Sequence, residues 1–345
     1  MMKNSLLHWL SAFTMVSLLA VALKANEVSP ITTIHQNNGD WKLPAKDYVI
    51  LRRGDVQIVV VNNEAVDDDI LPGHRAGYSG VARISHKRQS DNLFVPNYAG
   101  LNYEHIHDGK TRDRDILFEP RKLPIQLRRI HEHAVELYQA PAGHYKLESC
   151  QRYELLEDGT IQLTYECTPR AGTFENGYIG LFWASYINQP KDKSIHFPGF
   201  ENVEEKSLRE LPAAQMVRGV TPQHGIQATH RGLHDTRLFK HDVNFPLSLV
   251  FGYSRHRFQE PWFYGVSQNM GFAQIFRSAD KIRLTQSPSG GGNGNPAWDF
   301  QYFIEDYEVG KTYRFVMRAV YQPIEEQKVF FDRINKEFRD LNNLK

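Results

Sequence analysis

The chain has 345 residues, with 41 Lys and Arg against 40 Asp and Glu, and its net charge of +1 leaves no basic surplus of the kind a nucleic-acid partner requires. Its 17 prolines and 24 glycines punctuate it as often as many short strands need. Aromatic residues make up 12% of it, which suits a β-rich protein and equally one that stacks sugar rings on aromatic faces.

At the N-terminus Lys3 precedes an apolar run over residues 6–23, interrupted by His8, Ser11, Thr14 and Ser17. Small residues follow at Ala20, Ala22 and Ala25. This is the pattern of a secretory signal peptide, residues 1–25. An uncleaved anchor is the alternative, since the run is near the lower length limit for a spanning helix. The polar interruptions and small residues favour cleavage. No later stretch is apolar enough to span a membrane. A secreted or periplasmic protein without stable membrane insertion is expected.

From residue 48 onward the chain reads as strand and turn. Residues 48–52 and 57–62 are β-rich runs joined through Arg53-Gly54-Asp55. The acidic loop Asp67-Asp68-Asp69 and Pro72-Gly73 lead to His74-Arg75, and residues 81–84 form another strand. Residues 122–137 alternate as an extended run. Strand-like runs at 147–156 and 161–167 flank Asp158-Gly159, a strong two-residue hairpin signal. With those two residues as the loop, Cys150 and Cys167 fall opposite each other in a non-hydrogen-bonded pair, where Cα atoms approach most closely. A structural disulfide is then expected in an exported protein, against the alternative of two buried free thiols.

Further strands are predicted at 178–187, 247–253, 272–276, 282–285, 300–304 and 313–321. Strands at this frequency, with few helical periods between them, indicate an all-β sandwich or barrel. The segment 188–245 is irregular and carries His196, His224, His230, His234 and His241, so it is functional or mobile. The glycine-rich stretch 287–295 is a loop, either a hairpin end or a place where backbone NH groups approach a ligand. From residue 325, Val329, Phe330, Ile334, Phe338 and Leu341 recur at helical spacing, predicting an amphipathic helix docked on the β core. The patterning nowhere breaks into two units. One β domain over 26–322 is expected, with a C-terminal helix at 323–345 packed on it.

The densest chemistry lies in residues 97–110, where two histidines, two carboxylates and two tyrosines share fourteen residues. In an extended strand the period of two puts Tyr103, His105 and His107 on one face and Glu104, Ile106 and Asp108 on the other. Such a cluster can transfer protons, bind a sugar or hold a metal, and the plain alternative is a polar strand end with hydrogen-bonded histidines. Arg75 suits a carboxylate or sulfate on a ligand, because its planar fork binds such groups bidentately, or an ion pair with the acidic loop. His131-Glu132-His133 could join His105 and His107 around a metal, but H-x-H is a weak signal, and neither a metal nor another cofactor is expected. His256 sits between two arginines near Trp262, Phe263 and Tyr264. Trp183, Tyr186 and Trp298 each combine an apolar face with a hydrogen-bonding edge, which suits a sugar, although any one of them fits a core equally. The sequence has no nucleophile elbow, phosphate loop or dinucleotide fingerprint.

The order of these pieces resembles the aldose 1-epimerase (galactose mutarotase-like) β-supersandwich family. Gly80-Val81-Ala82-Arg83-Ile84 is similar to its arginine-containing strand. Glu104-His105-Ile106-His107-Asp108-Gly109 is similar to its first histidine segment, with His107 on the motif histidine. The hairpin at 152–168 is similar to the paired strands before the second histidine. Trp183-Ala184-Ser185-Tyr186-Ile187-Asn188 is similar to the second histidine segment, and residues 307–313 to the closing turn and strand. The resemblance implies an antiparallel supersandwich and a sugar site containing Arg83 and His107. In that family a histidine protonates the ring oxygen and a glutamate takes the anomeric proton. Here the second histidine position is Ala184 and the glutamate position is Thr285, so ordinary mutarotation lacks its usual partners.

The expected function is that of a carbohydrate-active protein with a sugar or polysaccharide ligand. If it is catalytic, His107, His105, Tyr103 and Glu104 carry acid–base chemistry, and Arg75, Arg83, Trp183, Tyr186, His256 and Trp298 bind substrate. The alternative is a non-catalytic carbohydrate-binding or structural envelope protein. Composition leaves the oligomeric state open. The ligand expectation carries a spatial condition: Arg75, His107, Trp183, His256 and Trp298 should line one concave face.

Overall fold

A computed structural model describes residues 31–36, 39–204, 211–292 and 294–344. The proposed signal peptide lies outside the described residues.

The chain first builds a small antiparallel sheet from β1 (Tyr48–Arg53), β2 (Val56–Val61) and β3 (Gly80–His86). After β4 (Asn102–His107) come two single-turn helices, α1 (Arg114–Leu117) and α2 (Glu119–Lys122). An antiparallel run follows: β5 (Gln126–His131), β6 (Ala134–Gln139), β7 (Leu147–Leu155) and β8 (Ile161–Pro169). The chain continues through β9 (Tyr178–Ala184), β10 (Ile195–Phe200), β11 (Gln215–Gly219) and β12 (Thr229–Gly232) to a helical turn, α3 (Ser248–Phe251). Then β13 (Tyr253–Phe258), β14 (Trp262–Ser267), β15 (Met270–Phe276), β16 (Arg283–Ser287), β17 (Ala297–Glu305) and β18 (Tyr313–Pro323) precede α4 (Gln327–Asn342).

Fifteen of these strands form one sheet: fourteen in the hydrogen-bonded path β4-β9-β17-β16-β12-β13-β10-β14-β15-β18-β8-β7-β6-β5, and β11 added on β10. The path doubles back on itself, so β4, β9 and β17 face β8 and β18 across the core. Trp183 of β9 lies between Tyr103 and Phe300 on its own layer, with ring centroids 4.8 and 5.1 Å away. It meets Tyr165 and Phe315 of the opposite layer edge-on at 4.8 and 4.9 Å. Aromatic pairs at such distances add about 0.5–1.5 kcal/mol each beyond the area they bury. The expected all-β sandwich is therefore present. Helix α4 buries Phe330, Ile334 and Leu341 against Trp262, Ile275, Val316 and Val320 on the outside of β14, β15 and β18.

Three local expectations are corrected. The run at 122–137 is the end of α2 followed by a hairpin, with His131 and His133 at its turn. Residues 247–251, read as strand, form the α3 turn. The cysteine hairpin turns through three residues: Leu155 pairs with Ile161, the Leu156 N–H donates to the Thr160 carbonyl at 2.8 Å, and Gly159 takes a φ of +82°. A turn ending in a left-handed glycine adds a residue to the loop and moves the register by one. Cys150 then pairs with Glu166, and Cys167 with Ser149. A one-residue slip sends side chains to opposite faces of a sheet. Cys167 joins the central core, whereas the Cys150 thiol lies 3.4 Å from Glu136 on the outer face. Both are free buried thiols, and the expected disulfide is absent. Burial pushes the Cys167 thiol up to about 12, which makes it inert as a nucleophile.

Candidate functional site

The stretch of densest chemistry is rearranged by a bulge. Tyr103 pairs with Trp183 and His105 with Phe182, so Glu104 is an extra residue in β4. An inserted residue breaks the alternation. Tyr103 and Ile106 point into the core, while Glu104, His105 and His107 all turn to the outer face of β4 and β9. The sequence period had set Tyr103 beside the histidines. The bulge separates them.

On that outer face is a cavity of about 260 Å³. Its floor is Glu104, His105, Phe182, Ala184 and Asp299, and its walls come from α1, α2, the α3 segment and Gly290 of the glycine-rich loop. Helices α1 and α2 place Arg114, Phe118 and Arg121 over the β4 bulge. Arg121 donates to Glu104 Oε1 at 3.1 Å and to the Gly77 carbonyl at 2.7 Å, with its guanidinium 3.9 Å above the Tyr78 ring. The Tyr186 hydroxyl sits 2.7 and 2.6 Å from the two Glu104 oxygens and donates to that carboxylate. Burial pushes the Glu104 carboxyl up, and Arg121 and the Tyr186 hydroxyl oppose the rise without cancelling it.

The second carboxyl group, Asp299, comes from β17. β9 lies between the two acids, with Asp299 level with Ala184 and Glu104 in the bulge between the Trp183 and Phe182 pairs. Two strand spacings plus this offset set their backbones at least about 10 Å apart. Asp299 Oδ1 accepts the Ser185 N–H at 3.0 Å, and among the described residues no cation pairs with it. Burial, with a smaller contribution from the Glu104 charge, holds its carboxyl well above the ordinary carboxylate range. Glu104, by contrast, has an arginine to compensate it. His105 is held well below its usual value by burial, with Arg121 and Arg114 adding to the effect. Its Nδ1 is buried with no hydrogen-bond partner, and its Nε2 is 4.0 Å from Glu104. At the rim His224 Nδ1 is 2.9 Å from the Ser287 hydroxyl. The cavity thus combines a carboxyl group without a cation, an ion-paired carboxylate and an imidazole whose Nδ1 has no partner.

Of the residues predicted from sequence, Glu104, His105 and Tyr186 meet here. His107 does not. It is 1% exposed, packed among Tyr178, Phe245, Phe251 and Phe303, with neither ring nitrogen bonded to any described residue. Gly180 makes room for it, since an added Cβ would lie 2.2 Å from the imidazole. Burial takes its pKa down to about 3. Tyr103, Trp183 and Trp298 are core residues. Arg83 lies on the small sheet, donating to the Ser90 carbonyl at 3.1 Å. His256 stands 6.0 Å from His230, with its Nδ1 accepting the Asn202 N–H at 3.2 Å. Arg75 is exposed, 5.9 Å from the ring of Tyr98, whose own ring is 5.0 Å from Tyr186. Arg75, His107, Trp183, His256 and Trp298 thus fail the single-face condition, and the site they were to form does not exist. Among the described residues no three His, Cys, Asp or Glu side chains converge as metal ligands.

Sequence reasoning missed Asp299, Arg121, Tyr78 and Arg114. Asp299 stood in plain view beside Trp298, but the tryptophan drew the ligand assignment. In the register Asp299 pairs with Thr285, the position of the missing family glutamate. Thr285 itself is buried and bonded to Gln301 Nε2 at 2.7 Å. A carboxyl group thus stands one strand away from where the resemblance placed it.

The fold and pocket define an all-β two-layer sandwich with an acidic cavity on the outer face of one layer. No family model and no curated protein matches the sequence. The chain is similar to a solved structure from Escherichia coli K12 provisionally assigned as an aldose 1-epimerase, at 10% identity and a TM-score of 0.44, over 80% of this chain and 99% of that one. The Slr1438 protein from Synechocystis sp. PCC 6803 matches at 9% identity and 0.44, over 82% and 98% of the two chains. A heparan sulfate lyase, HepC from Pedobacter heparinus, matches at 10% and 0.36, over 82% of this chain and 37% of its own. These values leave every residue role to be argued from this chain itself.

Proposed function

We propose that the cavity binds one sugar residue and moves protons on it, with Asp299 as the acid and Glu104 as the base. The observation that carries this reading is a pair of buried carboxyl groups in unlike surroundings across β9: Glu104 is bonded to Arg121 and Tyr186, and Asp299 has no cation among the described residues. Pairs of acids whose environments separate them are how one site supplies both proton donor and proton acceptor at neutral pH. A cavity of about 260 Å³ lies just below the range of ligand pockets, about 300 to 1,000 Å³, and suits a single ring better than a long chain. Tyr78, Phe118 and Phe182 offer apolar surface to a ring, and Glu104, His105 and Asp299 offer partners for hydroxyls. The acid role passes from histidine to Asp299 because both buried histidines are neutral at pH 7 and have no proton to give as imidazolium.

The test is sugar binding by calorimetry together with NMR observation of anomer exchange and of new reducing ends. Asp299→Asn should lower turnover by about 10²–10⁴-fold, as for loss of a general acid, while sugar affinity stays within a few-fold. Unchanged turnover in that variant would remove the acid–base assignment. The second reading, a binding protein without turnover, is favoured by the bonds that Arg121 and Tyr186 already make to Glu104; it predicts sugar affinity with no reaction in the wild type. Export is proposed on the pattern Lys3, residues 6–23 and Ala20–Ala25 alone, and N-terminal sequencing of the mature protein checks it.

A further inference from the structure

We infer that the sugar carries a single negative charge, a carboxylate or a sulfate ester, held by the guanidinium of Arg114 at the mouth of the cavity; this rests on the sugar reading above. Arg114 lines the cavity as the first residue of α1 and lies 4.4 Å over the ring of Phe118. Among the described residues it forms no ion pair and no side-chain hydrogen bond, although most neighbouring charges are matched. Arg121 is paired with Glu104, Arg112 with Asp108 and Glu175, and Lys122 with Asp115. Of the two guanidiniums facing the cavity, Arg121 is bonded to Glu104, while Arg114 reaches that carboxylate only through a longer-range attraction. Arg114 is left without a bonded counterpart.

The location of that charge matters as much as its sign. Glu104, His105 and Asp299 occupy the floor, while Arg114 is exposed at the opening. A ligand that matches both has an uncharged hydroxylated ring inside and an anionic arm directed outward. The planar fork of arginine accepts the two oxygens of a carboxylate or sulfate side by side. A phosphate monoester, carrying close to two charges at neutral pH, would exceed what Arg114 leaves uncompensated. The buried Nδ1 of His105, lacking any partner, marks the floor independently as a place where a ligand hydroxyl is to be met.

Calorimetric titration at low ionic strength with glucose, glucuronate, glucose 6-sulfate and glucose 6-phosphate tests this, on the wild type and on Arg114→Ala. A monoanionic sugar is expected to bind about 10- to 100-fold more tightly than glucose, the range of a charged hydrogen bond. Arg114→Ala should abolish that preference, bringing the monoanions to the affinity that the same variant has for glucose, with the thermal midpoint checking that the variant is folded. The better of glucuronate and the 6-sulfate identifies the anionic group. Equal binding of glucose and the monoanions, a preference for the phosphate, or a preference that survives Arg114→Ala overturns the charge inference alone. A folded protein that binds none of the four overturns the sugar reading and this inference together.

Discussion

Two buried glutamate–arginine systems lie in the same doubled-back sheet, and they are used differently. On the outer face of the β6–β8 layer, Glu136 accepts from Thr33 and from Arg152 Nε at 2.8 Å. Beside it Glu166 accepts from the backbone of Ile31 and Thr32 at 3.0 and 2.8 Å, from the Thr32 hydroxyl at 2.6 Å and from Arg314 Nε at 2.6 Å. Residues 31–33 lie over these carboxylates and close them off from water. Glu104 has only Arg121 and Tyr186, opens onto a cavity, and is flanked by a carboxyl group without a cation and an imidazole with a bare nitrogen. Satisfied polar networks hold a structure together, whereas polar groups left short of partners around a cavity mark where a ligand completes the set.

The largest expected effect breaks the closed system. Glu136→Ala removes a fully buried carboxylate, leaves half-buried Arg152 without its charge partner and strands the Thr33 N–H, and should cost about 3 kcal/mol of unfolding free energy in denaturant titrations. Glu104→Gln keeps the shape and most hydrogen bonds of the open system, so it should cost at most about 2 kcal/mol while abolishing turnover. If the two variants lose stability equally, the distinction between a structural and a functional pair fails.

The next effect uses pH, and Asp299 in the cavity and His107 in the aromatic cluster beside it respond in opposite senses. His107 has a folded pKa of about 3 against an ordinary value of 6.5, so the unfolded chain takes up its proton first. Stability from this group is present above pH 6.5 and is lost as pH falls through the window down to about 3. His107→Leu should therefore move the acid-unfolding midpoint to lower pH. The shift is partial, because buried His230, also near 3, keeps contributing over the same window. Asp299 is raised above its ordinary 3.8, so the folded state retains a proton that the unfolded state releases. Its contribution is present below 3.8 and is lost as pH rises toward the folded value. Relative to wild type, Asp299→Asn should gain stability as pH is raised above about 4, measured by thermal midpoints across pH. A gain on acidification instead would show that Asp299 is ionised in the fold.

The smallest effect concerns Tyr103, whose hydroxyl is 3.3 Å from that of Tyr165 in the core. Tyr103→Phe should change stability by about 1 kcal/mol and leave sugar binding and turnover untouched. A large loss of turnover would return Tyr103 to the catalytic set from which the bulge removes it.

Much of this division was legible from the residues and the remainder was not. Glu104 and His105 were found because ionisable residues are dense in that segment. The role of His107 was not, since a histidine and the aromatic side chains that enclose it come from distant segments: Tyr178, Phe245, Phe251 and Phe303. Arg114 and Arg121 lay in a stretch that carried no strand period and no recognised motif, and only the fold of α1 and α2 over β4 shows what they face. The tryptophans were ambiguous by nature, because an indole in a core and an indole on a sugar share the same local sequence.

The sequence by itself determined the strands, the C-terminal amphipathic helix and the all-β sandwich, because side-chain period and turn residues are local properties. Tertiary structure decided which face each side chain takes. One residue inserted at Glu104 and one added to the turn at Gly159 each reversed an alternation, moving Tyr103 away from the histidines and Cys150 away from Cys167. With a period of two, a single-residue change in register inverts the assignment of a strand. That register is set by partners far away in the chain, so the site became visible only once β4, β9 and β17 lay side by side.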